Sequence, residues 1–157
     1  MLVGFWTSCG SDDTPSDPCS GLDENCSELT AEDFEMLCNA QNLTLEFTTS
    51  NSTMPYECKY KIRNDDGVVL LLNLNRYSSC SGAQNQFDFN REFLRSADFT
   101  TIDNLNDDSH YFETSAYRTV QSVKGKTLIS LTGYDDTDCG SQEGLIELMR
   151  GLNDKMR

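Results

Sequence analysis

The seven cysteines are the residues of this chain whose chemistry is most constrained. They lie at Cys9, Cys19, Cys26, Cys38, Cys58, Cys80 and Cys139. Their spacing does not match a zinc site, because no two form a close pair and the chain has one histidine. In a chain of 157 residues, this number of thiols indicates disulfides and therefore an oxidising compartment.

Seven is an odd number, so at least one cysteine must have another role. Setting Cys9 aside leaves six cysteines, which allows three disulfides in about fifteen possible arrangements. Pairing neighbours along the chain predicts Cys19–Cys26, Cys38–Cys58 and Cys80–Cys139. The second pair would join the first helix to the first hairpin, and the third would join the sheet to the start of the last helix.

Cys9 lies in a distinctive sequence context. The apolar segment Met1 to Phe5 precedes Trp6-Thr7-Ser8-Cys9-Gly10-Ser11-Asp12-Asp13. This stretch resembles the lipobox and export signal of Bacteroidota-type lipoproteins, although Trp6 stands where the lipobox favours leucine. The resemblance implies that Cys9 is the lipidation site and that residues 1–8 are a truncated signal-peptide remnant. It also implies an outer-membrane lipoprotein facing the periplasm or the cell surface.

The net charge of −14 excludes two kinds of partner. A nucleic acid backbone would be repelled, and so would anionic lipid headgroups. No run of 18 apolar residues is present. We therefore expect contact with a membrane through a lipid anchor only. Residues 9–28, rich in Asp, Ser, Gly and Pro, are predicted to be an acidic flexible tether.

Catalytic and metal-binding signals are sparse. His110 is the single histidine, and no Gly-x-Ser-x-Gly nucleophile elbow accompanies it. We interpret His110 as a surface or edge residue. The segments 104–108 and 135–140 carry carboxylates that suit calcium but lack EF-hand spacing, and we interpret them as solvated acidic loops. We predict no catalytic residue, no metal and no cofactor.

Two further patterns concern the surface. Lys59, Lys61 and Arg63 alternate along one predicted strand, which indicates a solvated face balanced by nearby carboxylates. Asn25, Asn42 and Asn51 begin Asn-x-Ser/Thr sequons. These would carry glycans in a secreted eukaryotic protein and would be chance matches in a bacterial one.

The hydrophobic periodicity predicts one α+β domain over residues 29–157. We predict an antiparallel sheet with two hairpins, packed by about three helices in a sandwich-like α/β/α arrangement. The hairpin turns are at Asp66-Gly67 and Lys124-Gly125. The helices are predicted at about 30–39, 87–97 and 141–155, and the strands at 43–48, 56–63, 68–76, 111–112, 117–123 and 126–132.

Residues 30–157 also resemble small secreted lipoproteins with a PsbP-like α/β/α sandwich. The resemblance depends on the Cys58-Lys59-Tyr60 strand, the 102–108 segment, the Val123 to Leu131 hairpin and a terminal helix. Asn106-Asp107-Asp108 replaces the glycine-aspartate-alanine turn of those domains. The resemblance implies a non-enzymatic sensing, binding or assembly module.

The sequence therefore favours a lipid-anchored extracytoplasmic module that binds a protein or small molecule not identified by any motif. Two alternatives from other classes stay open. One is a secreted hydrolase that uses carboxylates, and the other is a secreted glycosylated eukaryotic domain.

Overall fold

The computed structural model describes residues 29–94, 97–134 and 138–156. Within these residues the helices are α1 (Ala31–Cys38), α2 (Cys80–Phe93) and α3 (Gln142–Lys155), and a 3-10 turn spans Asp138–Gly140. The strands are β1 (Thr44–Ser50), β2 (Tyr56–Asn64), β3 (Gly67–Arg76), β4 (Thr100–Thr101), β5 (Asp108–Glu113), β6 (Arg118–Lys124) and β7 (Thr127–Gly133).

The strands form one antiparallel sheet in the order β1-β2-β3-β7-β6-β5-β4. The predicted α+β class with an antiparallel sheet and three helices is confirmed for the described residues. The sheet is open and consists of two meanders, β1 to β3 and β4 to β7, joined by the β3–β7 pair. This differs from the expected two hairpins, because β1, β4 and β5 extend the sheet on both sides.

Helices cover both faces of the sheet. Leu128 and Ile129 are consecutive in β7, so their side chains lie on opposite faces. Ile129 belongs to the larger core, with Leu145, Leu148 and other residues of α3. Leu128 belongs to a smaller core, with Ala83 and Phe87 of α2.

Both predicted hairpin turns are confirmed. In the β2–β3 turn, Asn64 Oδ1 accepts hydrogen bonds from the amides of Asp66 and Gly67, at 2.9 and 3.0 Å. Gly67 has a φ of 143° and Gly125, in the β6–β7 turn, has a φ of 55°. Glycine adopts these positive angles without a Cβ clash, which is why the turns occur at these positions.

Helix α1, which was predicted at about 30–39, begins with a capping box. Thr30 Oγ1 accepts from the Asp33 amide, and Asp33 Oδ2 accepts from the Thr30 amide at 2.8 Å. Lys155 Nζ lies 2.7 Å from Asp33 Oδ1 and so connects α3 to the start of α1. Burial raises the pKa of Asp33, but the hydrogen bonds from Lys155 and Thr30 outweigh it, and the pKa lies below its ordinary value.

Helix α2 differs from its predicted position. It begins at Cys80 rather than residue 87, because Ser79 Oγ caps the Gly82 amide at 3.1 Å. Its buried side chains are Ala83 and Phe87. Phe89 and Phe93, which lie within the predicted range 87–97, are not part of its packed face and are 59% and 78% exposed.

Helix α3 was predicted correctly. Its stripe of Leu145, Leu148, Met149 and Leu152 is buried in the larger core. Within the described residues, no helix is both long and apolar enough to cross a bilayer.

Gly133, at the end of β7, is packed against the 3-10 turn. A Cβ there would lie 2.9 Å from the Gly140 Cα, which is backbone and cannot rotate away. We expect Gly133→Ala to lower the free energy of unfolding by about 1–3 kcal/mol, the usual cost of overpacking. Urea denaturation would measure it, with the exposed Ser115→Ala as control. An unchanged midpoint for Gly133→Ala would contradict this close packing.

Candidate functional site

A cleft of about 630 Å³ lies between β4 with its following loop and helix α3. This volume is within the usual range for a small-molecule site. The cleft is lined by Thr100, Thr101, Ile102, Asp103, Gln142, Glu143, Ile146, Glu147 and Arg150. It is therefore built from two segments about forty positions apart in the chain.

The amphipathic pattern of α3 determines which of its polar side chains line the cleft. Ser141 Oγ accepts from the Gly144 amide at 3.0 Å and so starts the helix. Because the apolar stripe of α3 faces the sheet, Glu143, Glu147 and Arg150 are exposed on the opposite side. Two half-buried isoleucines, Ile102 and Ile146, pack against the larger core and form an apolar part of the lining.

The charges of the cleft are mostly negative. Asp103, Glu143 and Glu147 contribute three carboxylates, and Arg150 contributes one guanidinium, which donates to Glu147 Oε1. The threonine hydroxyls and Gln142 add neutral hydrogen-bonding groups. This lining suits a polar or cationic group better than an anion.

The structure corrects the predicted disulfide pairing. Cys38, at the end of α1, is bonded to Cys139 in the 3-10 turn before α3, with a Cα–Cα distance of 5.2 Å. The predicted pairs Cys38–Cys58 and Cys80–Cys139 are therefore wrong. Neighbours in sequence are not neighbours here, because α1 and α3 pack on the same face of the sheet.

The other cysteines divide into two groups. Cys58 and Cys80 are also disulfide-bonded. Every cysteine that the described residues contain is thus oxidised, as predicted. Cys9, the predicted lipidation site, and the predicted pair Cys19–Cys26 lie outside the described residues.

His110 is not the surface or edge residue that we expected. It is 3% exposed on β5, with ring-centroid distances of 4.4 Å to Phe87 and 4.8 Å to Phe99. Among the described residues, neither ring nitrogen of His110 has a hydrogen-bond partner. Burial lowers the pKa of His110 to about 4, and Arg91 contributes in the same direction, against the opposite effects of Asp108 and Gln121. The expectation failed because α2 and the 97–99 segment cover this face of β5.

The acidic segment 104–108 has a structural role. Asp107 Oδ2 accepts from the Gly125 amide at 2.7 Å, which supports the β6–β7 turn. Asn106 Oδ1 accepts from the Asn153 side chain at 3.1 Å, which connects the segment to α3. Part of the other acidic segment, residues 135–137, lies outside the described residues. In the described part of the chain, no cluster of His, Cys, Asp or Glu is arranged to hold a metal ion.

The basic stripe on β2 is a solvated face, as predicted. Glu46 of β1 lies 3.4 Å from Lys61 and 2.9 Å from Arg63, and Glu57 lies 3.5 Å from Lys59. Each of the three cations thus has a carboxylate partner, and Lys61 and Arg63 share Glu46. These pairs are exposed, so they contribute little to stability.

Comparisons of the chain with protein-family models, curated proteins and solved structures find no significant match. Function is therefore inferred from the residues of the chain itself.

Proposed function

We propose that this protein is a lipid-anchored extracytoplasmic module that binds or assembles with a partner and does not catalyse a reaction. The oxidation state of the cysteines carries the proposal. Cys38, Cys58, Cys80 and Cys139 are all disulfide-bonded, and disulfides of this kind persist outside the reducing cytosol.

The anchor is assigned to Cys9. Thr7 and Ser8 before it, and Gly10, Ser11 and two aspartates after it, resemble the lipidation context of Bacteroidota-type lipoproteins. Acylation of Cys9 would also leave an even number of cysteines for disulfides. A protein with a net charge of −14 needs a lipid to stay at an anionic surface. We place it in the cell envelope, as an outer-membrane lipoprotein facing the periplasm or the cell surface.

Binding is assigned to the β4–α3 cleft. The volume of the cleft lies within the range of ligand sites, and its lining combines two isoleucines with polar and charged side chains. A carboxyl group that acts as a general acid usually needs burial to hold its proton. Asp103, Glu143 and Glu147 are all exposed. This arrangement supports recognition of a cationic or polar group over the alternative of a carboxylate hydrolase.

The anchor can be tested by metabolic labelling with a clickable fatty acid. The chain would be expressed in a bacterium with a bacterial lipoprotein signal peptide, and we expect label on the wild-type protein and none on Cys9→Ala. Replacing Cys9 removes the thiol that would accept the acyl group. The structure of the described residues, which begin at Leu29, should be unchanged.

Circular dichroism and the thermal midpoint of both proteins provide the fold control. An unlabelled wild type, or a Cys9→Ala variant that keeps the label, would reject Cys9 as the anchor. A labelled wild type that fractionates with the cytosol would reject the proposed location.

A further inference from the structure

The two edges of the sheet are formed by β1 and β4, and they differ in length and exposure. Among the described residues, β1 pairs only with β2, so its other side has free backbone donors and acceptors. Six of its seven residues are exposed, and Leu45 is half-buried. The opposite edge, β4, is two residues long. A very short edge strand is a common protection against pairing with another chain, and β1 lacks it.

Within the described residues, strand β1 also lacks several other usual protections of an edge. Its sequence, Thr44 to Ser50, contains no proline and no lysine, and its register with β2 runs without a bulge. The single charged residue, Glu46, is already bound to Lys61 and Arg63 of β2. The edge therefore carries no uncompensated charge that would repel an incoming strand.

Phe47 is the most exposed aromatic side chain of this edge. It is 37% exposed, and its ring centroid lies 4.9 Å from that of the buried Tyr60 on β2. One side of the ring thus rests on the core, and the rest is in solvent. Covering it would bury apolar surface next to an existing aromatic contact.

We propose that two copies of this chain form a dimer by antiparallel pairing of their β1 strands about a twofold axis at Phe47. In this register Phe47 lies opposite Phe47 of the partner subunit, and Leu45 lies opposite Thr49 of the partner subunit. Glu46 lies opposite Thr48 of the partner subunit, so no like charges are directly opposed. The two seven-stranded sheets join into one continuous sheet with Tyr60 and Phe47 of each copy in one aromatic row.

The charged side chains around β1 favour a second copy of the chain as the partner that pairs with this edge. The chain as a whole is strongly acidic, with a net charge of −14, and two copies repel each other over most approaches. Around β1, however, Glu46 and Glu57 pair with Lys59, Lys61 and Arg63, so this region has no excess of carboxylates. A self-complementary strand, in a region without the excess negative charge of the rest of the chain, is compatible with an isologous dimer. The dimer goes beyond the proposed function and does not depend on lipidation.

Sedimentation equilibrium of the full-length oxidised chain carrying Cys9→Ser tests the dimer. We expect reversible dimerisation, and we expect Phe47→Lys to raise the dissociation constant at least about 100-fold, because two lysines would then be directly opposed. Phe47→Tyr should keep the dimer. Phe93→Lys is the matched control. Phe93 on α2 is 78% exposed, and α2 packs mainly on β6 and β7, away from β1.

A photo-crosslinking amino acid at position 47 gives a second measurement that does not depend on the stability of the lysine variant. We expect a covalent dimer joined within residues 44–50 of both copies, and none when the same group is placed at position 93. A protein that is monomeric at all concentrations would overturn the proposal. So would a dimer unaffected by Phe47→Lys, or a crosslink from position 47 to residues 1–28 of the same chain. Because Cys9 is replaced throughout, failure here is separate from failure of the lipid anchor.

Discussion

Replacing both Cys38 and Cys139 with alanine should lower the free energy of unfolding by about 4–5 kcal/mol. The bond closes a loop with a sequence separation of 101, and a crosslink over about 100 residues restricts the unfolded chain by this amount in the chain-entropy model. The loss is large compared with the total stability of a domain of this size. Urea denaturation of the two proteins under oxidising conditions would measure it.

The double replacement avoids a free thiol that could exchange with Cys58 or Cys80, which are themselves disulfide-bonded. Met36→Ala is a suitable control, because Met36 lies on the same helix as Cys38 and is 65% exposed. We expect its stability to stay within about 0.5 kcal/mol of the wild type. If the double variant were equally stable, the link between α1 and α3 would be redundant with the packing around it.

Acid should destabilise the protein through His110. In the unfolded chain this residue titrates near the ordinary histidine pKa of 6.5, and burial holds the folded pKa at about 4. Between these values the unfolded chain binds a proton that the folded chain does not, so stability falls as the pH falls from 6.5 to 4. The expected loss from this residue reaches about 3 kcal/mol at about pH 4.

His110→Phe isolates this effect. Phenylalanine keeps an aromatic ring against Phe87 and Phe99 but has no site for a proton. Arg91, Asp108 and Gln121 influence the wild-type ring, and all three are retained in the variant. Denaturation at about pH 7 and about pH 4.5 should show a steeper acid loss in the wild type, by about 2–3 kcal/mol. Parallel pH profiles for the two proteins would show that His110 is not held neutral in the folded state.

Where a segment has one solvent-exposed face and one buried face, the sequence was sufficient to predict its structure. Tyr60 and Ile62 alternate with Lys59, Lys61 and Arg63 along β2, and the alternation predicted both the strand and its buried side. The same holds for α3, whose apolar residues recur with helical spacing, and for α1, which lies within its predicted range of about 30–39.

Where a segment is covered on both faces, the sequence was misleading. β5 has Tyr111 buried on one face and His110 buried on the other, so it shows no alternation that would have indicated burial of the histidine. The first turns of α2 are polar, and Ala83 and Phe87 are its only fully buried side chains. The conspicuous pair Phe89 and Phe93 instead stack with each other in solvent, 6.0 Å apart.

Features that depend on distant segments could not be predicted at all. The β4–α3 cleft combines residues near 100 with residues near 146, and the Cys38–Cys139 bond depends on α1 and α3 sharing one face of the sheet. No local pattern encodes such proximity, because it results from the order of the strands. The exposed edge of β1 is a similar case, since a strand pattern does not reveal which strand will be outermost.

The Cys38–Cys139 bond also has a mechanical consequence. All seven strands lie between residues 44 and 133, inside the covalent ring that this bond closes. Tension applied between the N-terminal side of α1 and the C-terminal side of α3 would pass through the sulfur–sulfur bond and bypass the sheet. Only the segments outside the ring could then be stretched. A pull applied between Thr30 and Lys155 would therefore leave every described strand pair unloaded.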